Sequence, residues 1–158
     1  MKDMALNNLG SCAERVVESV INTDSPIEQM MFKEFMRNPN IIMCLKDEMF
    51  SKTGIAGCGI FAQAQVGVGA YSADFMIRVV GFDRSHKVWP PNVDVMFAVE
   101  CDGKAYHSSP EQIEHDRRRD NFFKKQGLDT LRFSGAEIHH NAEYCVDGIV
   151  DYARNLIV

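Results

Sequence analysis

Apolar residues recur along this chain with two different periods. Val16, Val17 and Val20 suit a short helix over residues 12–21, interrupted at 22–25. Ser25-Pro26-Ile27-Glu28 then opens a second helix, with Ser as N-cap, Pro at the first helical position and Glu at the third. Ile27, Met30, Met31 and Phe35 form its apolar stripe, and Asn38-Pro39-Asn40 ends it. The apolar run 41–45 is too short for its period to separate helix from strand. Residues 46–54 form a polar connection.

Alternation replaces helical spacing after that. Residues 57–65 and 69–80 predict neighbouring strands joined near Gly67. In the second, Ala73, Phe75, Ile77 and Val79 share one face, while Ser72, Asp74 and Met76 share the other. A loop over 81–92 leads to a strand over 93–101. There Val95, Phe97, Val99 and Cys101 point one way, and Met96, Ala98, Glu100 and then Asp102 the other. Ser108-Ser109-Pro110-Glu111 starts a helix that runs to about Gln126 and stops at Gly127. Residues 128–133 predict a strand. A final helix over 143–156 is carried by Val146, Ile149, Val150, Ala153 and Ile157. The predicted order is helix, three strands, helix, strand, helix. It implies an α/β fold with a mixed β-sheet flanked by helices on both faces.

Length and composition leave this picture intact. A chain of 158 residues, 46% hydrophobic and 25% charged, suits one domain over 25–158 after an N-terminal extension or short helix over 1–24. No apolar run approaches a membrane span, and the N-terminus lacks a signal-peptide core, so no membrane association is expected. The five cysteines contain no C-x-x-C pair. Reduced thiols and a cytoplasmic or intracellular location are expected. The net charge of −5 does not advertise nucleic-acid binding, although a local basic patch can serve an acidic protein.

Such a patch exists on the helix that reads EQIEHDRRRDNFFKKQ, where Arg117, Arg118, Arg119, Lys124 and Lys125 concentrate positive charge. Arg118 and Lys125, seven apart, share a face for contacts to a nucleic-acid backbone. The competing account is a solvated, salt-bridged helix whose charges pair with Glu114 or Asp120. Acids supply the second cluster. Asp74 lies inside an apolar strand, and Glu100 and Asp102 end another on one face. Such carboxylates are costly unless solvent, a proton or a hard cation relieves them. A Mg²⁺ ion would suit two carboxylates, with the Cys101 carbonyl as a further oxygen. The Cys101 thiol points into the core, where it is a poor nucleophile. His107 follows as a candidate proton acceptor, with an ordinary loop histidine as the alternative. Lys104 reaches a phosphate only if the strand continues past Gly103.

Several short segments resemble the restriction-endonuclease-like superfamily, and within it the branch of very-short-patch mismatch-repair endonucleases and their single-domain relatives. They are Ser25-Pro26-Ile27-Glu28, Gln65-Val66-Gly67-Val68-Gly69-Ala70-Tyr71-Ser72-Ala73-Asp74-Phe75, Val99-Glu100-Cys101-Asp102-Gly103, His107, Asp116-Arg117-Arg118-Arg119-Asp120 and Gly127-Leu128-Asp129-Thr130-Leu131-Arg132-Phe133. The resemblance implies an endonuclease-like catalytic domain. Asp74 would be the strand aspartate and Glu100 the second acid, with the Cys101 carbonyl also on the metal. Glu28 would be the helix glutamate, although helix capping competes for it. His107 would be the active-site histidine, Asp116 its support, and Arg119 the helix arginine. The wider superfamily has acid-x-lysine where this chain has Glu100-x-Asp102, so the lysine's role would pass to Lys104 or His107. Asp102 would at most orient water or that lysine. The implied function is a metal-dependent endonuclease hydrolysing DNA phosphodiester bonds, using Mg²⁺ with Mn²⁺ as a substitute. A noncatalytic nucleic-acid-binding module on the same fold is the alternative. DNA is the implied partner, with a homodimer as a further option.

Overall fold

The computed structural model describes residues 25–44, 49, 57–82, 91–103 and 109–157. The expected helix over 12–21, Lys104 and His107 lie outside these residues. The described chain runs α1 (Pro26–Arg37), β1 (Ile41–Met43), β2 (Gly59–Val68), β3 (Tyr71–Gly81), β4 (Val93–Asp102), α2 (Pro110–Lys125), β5 (Asp129–Ser134) and α3 (Gly135–Leu156).

The strands form one five-stranded sheet in sequential order. β2, β3 and β4 are antiparallel neighbours, while β1 joins β2 and β5 joins β4 in parallel. Helices cover both faces, as expected of a mixed α/β sheet. α1 and α3 bury Phe35, Ile149 and Val150 against Phe75, Ile77, Phe97 and Val99 on one side. On the other, α2 contributes Phe123 against Met76, Ala98 and Ala73. Among the described residues no helix is long and apolar enough to cross a membrane.

Four features differ from the sequence expectation. The run 41–45 supplies the short edge strand β1, a choice its length could not make. The β2–β3 turn falls at Gly69-Ala70 rather than near Gly67, because both strands continue to Val68↔Tyr71. α3 begins at Gly135 rather than at 143: Ser134 and Glu137 form a capping box, and Asn141 interrupts the helix with φ −162° and ψ 89°. The Asn141 side chain then accepts from the Tyr144 N–H at 3.0 Å, capping the second stretch. Residues 135–140 carry one buried apolar side chain, Ile138, so their periodicity is too weak to show a helix.

The fourth difference concerns the faces of β2 and β3. Phase is constant from Phe75 to Val79, but Ala73 joins Met76 in the core beneath α2, whereas Phe75 lies beneath α1 and α3. β2 switches in the same way between Ala64 and Val66. Gln65 and Asp74 face each other at the switch and are absent from the paired register. Gln65 has φ +51°, the one positive φ at a non-glycine position among the described residues. The local flip explains why strict alternation put Ala73 on the wrong face.

The β2–β3 turn is shaped around an aromatic ring. Gly69 has φ +62°, and a Cβ there would lie 2.6 Å from Cζ of Phe122. Gly127 has φ +74° with open space around it. Gly127→Ala should cost about 1 kcal/mol through backbone strain alone. Gly69→Ala should cost about 2 kcal/mol or more, since the clash adds to that strain. Denaturant unfolding of both variants checks the order, and equal losses would show that Phe122 yields freely.

Candidate active site

β3 and β4 part company at the end of their ladder. Their last pair is Phe75↔Val99, yet β4 runs on beside β5 through Glu100↔Arg132 to Asp102↔Ser134. Asp74 sits in the opening. Its carboxylate accepts the Cys101 N–H at 2.7 Å, so a side chain satisfies the amide that has lost its strand partner. Glu100 is buried to 1% exposure, and Arg119 of α2 forms an ion pair with its Oε2 at 2.9 Å. Arg119 also lies 3.7 Å from Asp116, one turn earlier on the helix. From β5, Arg132 donates to both oxygens of Asp102, at 2.8 and 3.1 Å, and pairs with Asp120 of α2. α1 approaches from the opposite face and brings Glu28, which accepts from the Gln65 side-chain amide at 2.5 Å.

Together these groups line a cleft of about 570 Å³ with five carboxylates (Glu28, Asp74, Glu100, Asp102 and Asp116) but only two guanidinium groups, Arg119 and Arg132. Burial raises the pKa of several of these carboxyl groups. Burial pushes Glu100 up from 4.5 to about 7, helped by the Asp74 charge and opposed by Arg119 and Arg132. Asp74 is raised by burial, against the Cys101 N–H and Arg119. Glu28 is raised by burial and by Asp74, with hydrogen bonds from Ser25 and Gln65 pulling the other way. Burial and the surrounding acids also push the Cys101 thiol up, holding it protonated against the core beneath α1 and α3.

Six side chains singled out from the sequence therefore meet in one cleft: Glu28, Asp74, Glu100, Asp102, Asp116 and Arg119. Ser25 makes no side-chain cap on α1, and Glu28 takes part in no capping box. Arg118 lies outside the cleft, where it donates to Glu114 at 2.8 Å as the salt-bridged-helix account expects. Arg117 pairs with the same carboxylate, and Lys125 is exposed in the last turn of α2. Two contributors were missed. Arg132 was legible only as part of the segment 127–133, because nothing local shows that β5 lies beside Glu100. Gln65 was legible only as part of the segment 65–75, because a positive φ is invisible in an alternating strand.

The donor set fits a hard divalent cation. Among the described residues no three His, Cys, Asp or Glu side chains converge as a ready-made metal cage. However, Oε1 of Glu100 is buried without a hydrogen-bond partner, and so is Nε of Arg119. An acceptor oxygen left bare in an acid-rich cleft is suited to a cation that brings its own water, as Mg²⁺ does. Asp74 and Glu100 would hold such an ion, with the Cys101 carbonyl as the third oxygen.

The model of one restriction endonuclease-like family, REase_MTES_1575, matches residues 52–152, more than half of the chain. No curated protein and no solved structure gives a significant match.

Two experiments probe this geometry. Since Glu100 titrates near 7 when folded and near 4.5 when unfolded, the folded chain holds the extra proton between those values. Its contribution to stability is present at low pH and lost as pH rises through about 7, a swing of about 3 kcal/mol. Glu100→Gln should flatten that decline in denaturant midpoints from roughly pH 5 to pH 8. A wild-type slope retained in the variant would assign the titration elsewhere. For Gln65, Gly and Ala both remove the amide, so comparing them isolates backbone strain. Gln65→Gly should be more stable than Gln65→Ala by about 1 kcal/mol, the reverse of an ordinary strand position. Unfolding midpoints decide it.

Proposed function

Because the chain belongs to the REase_MTES_1575 family, a restriction endonuclease-like family, we propose that the acidic cleft is the active site of a metal-dependent endonuclease that hydrolyses DNA phosphodiester bonds. The observation that carries this is the Arg119–Glu100 pair. It offers a buried unpartnered acceptor and a buried unpartnered donor in the same cleft. A cation suits the first and a phosphate oxygen the second.

The residues divide the work accordingly. Asp74 and Glu100 would hold Mg²⁺, for which Mn²⁺ would substitute. When bound, that ion supplies Lewis-acid stabilisation of the phosphoryl oxygens and lowers the pKa of its water. Arg119 Nε donates to a non-bridging phosphate oxygen, adding fixed positive charge where negative charge develops. Arg132 neutralises Asp102 and Asp120 and keeps Asp102 from repelling the substrate. Glu28, held by Gln65, orders water on the face of the cleft beneath α1. We assign proton transfer to His107 with Asp116 as its support, and the role of the superfamily lysine to Lys104 or His107. Arg118 and Lys125 add contacts to the DNA backbone outside the cleft, and the very-short-patch-repair-like branch is the subgroup we favour. A homodimer cutting both strands is compatible with this scheme. The second reading, a noncatalytic nucleic-acid-binding module on the same fold, is favoured by the lack, among the described residues, of three His, Cys, Asp or Glu side chains grouped to hold a metal.

Nicking of supercoiled plasmid separates the readings. Wild type should cut with Mg²⁺ and stop with chelator, while Asp74→Asn and Glu100→Gln should each lose about a hundredfold or more in rate. Millimolar Mg²⁺ should raise the melting temperature of wild type but not of Asp74→Asn. Plasmid bound but never cut by wild type would leave the noncatalytic module.

A further inference from the structure

The acidic cleft has a neighbour on the other flank of α2. Gln112, Asp116 and Arg119 face the cleft, whereas Glu111, Glu114, His115 and Arg118 line a second cavity of about 560 Å³ with Ala70 and Tyr71. The aromatic wall of this cavity is built rather than incidental. Tyr71 meets His115 edge to face at 5.5 Å and Phe122 at 5.3 Å. Phe122 in turn presses on the turn before Tyr71, where Gly69 alone leaves room for its ring. Tyr71 is therefore fixed from behind and from one side.

The remaining lining decides what could lie on that ring. Hydrogen bonds from Arg117 and Arg118 hold the Glu114 carboxyl down to about 2, so it is an anionic acceptor at neutral pH. Glu111 adds a second carboxylate, also lowered, by Ser109. Against these two carboxylates stands one guanidinium, Arg118, already paired with Glu114, so the cavity as a whole disfavours a phosphate. It suits a flat ring bearing N–H donors, because Glu and Asp accept from the exocyclic amines of bases, and aromatic side chains stack on base faces.

The two cavities are held in fixed relation by shared elements. Tyr71 and Asp74 lie three residues apart on β3, about 10 Å along a strand. His115 and Arg118 on α2 are next to Asp116 and Arg119 of the cleft. A nucleic-acid strand with a phosphate at Arg119 could therefore lay a base of a nearby nucleotide against Tyr71. We propose that this second cavity is a nucleobase subsite, taking an unpaired cytosine, adenine or guanine, stacked on Tyr71 with its exocyclic amine donating to Glu114 or Glu111. The subsite rests on the nuclease reading above and gives that site a preference for a strand with an exposed, amine-bearing base.

The test is binding without cleavage. Fluorescein-labelled single-stranded octanucleotides are titrated in chelator, with one abasic position walked along the strand. Wild type should show one position at which base removal weakens binding roughly five- to hundredfold, and thymine there should bind more weakly than cytosine or adenine. Tyr71→Ala should erase that difference and Tyr71→Phe should keep it. His115→Ala alters an exposed side chain and should reduce the difference, so it serves if Tyr71→Ala does not fold. An undiminished base effect in both Tyr71→Ala and His115→Ala would overturn the subsite. So would a wild type that shows no base-sensitive position. Plasmid cutting without any base effect overturns the subsite alone. A base effect that follows Tyr71 without plasmid cutting supports the subsite and sinks the nuclease reading instead. Equal binding of thymine would overturn the part given to the carboxylates.

Discussion

The Cys101 N–H donating to Asp74 is the contact on which the acidic cleft depends. A sheet that kept β3 and β4 paired to their ends would satisfy this amide with a carbonyl and close the gap between the strands. Here the ladder stops at Phe75↔Val99, and a carboxylate takes the carbonyl's place. Asp74 can reach that amide because Gln65 and Asp74 stand at a point where both β2 and β3 turn over. The strain at Gln65 is thus tied to the opening of the sheet. Its side-chain amide holds Glu28, so one residue serves both the backbone path and the acid on α1.

That opening gathers charge the fold would otherwise avoid. Glu100 is 1% exposed, and one of its oxygens has no partner. Removing an ion pair from water costs several kcal/mol per charge unless geometry and further hydrogen bonds restore it. Arg119 meets Glu100 with one nitrogen while its Nε stays bare, so the restoration is incomplete. A stability-driven core would place apolar groups there. An incompletely satisfied pair in a cleft is instead the kind of local inconsistency that functional sites retain.

α2 organises both sides of this arrangement. Its Phe123 anchors it to the sheet beneath Ala98 and Met76. One flank then presents Asp116 and Arg119 to the acids of β3 and β4, and the other presents His115 and Arg118 to Tyr71. The basic run that stands out in an acidic chain is not one patch. Arg117 and Arg118 are tied to Glu114, whereas Arg119 turns inward to Glu100. A helix advances about 100° per residue, so three adjacent arginines cannot share a task.

The sequence by itself determined the α/β class, most element positions and the acids that gather in the cleft. Those features depend on local signals: Ser-Pro at the starts of α1 and α2, alternation through β4, and carboxylates set among apolar residues. It also marked Glu28, Asp116 and Arg119, which are far apart along the chain yet line one cleft. Only the tertiary structure decided three further things. It made 41–43 a strand, because a three-residue run acquires its state from β2 beside it. It turned Ala73 to the opposite face from Phe75, because alternation assumes an unbroken pleat and Gln65 breaks it. It brought Arg132 to Asp102 and Asp120, because the parallel register of β4 and β5 is set by how α2 crosses the sheet between them. Periodicity encodes which residues must be buried, but neighbour relations between strands emerge only when the buried faces meet.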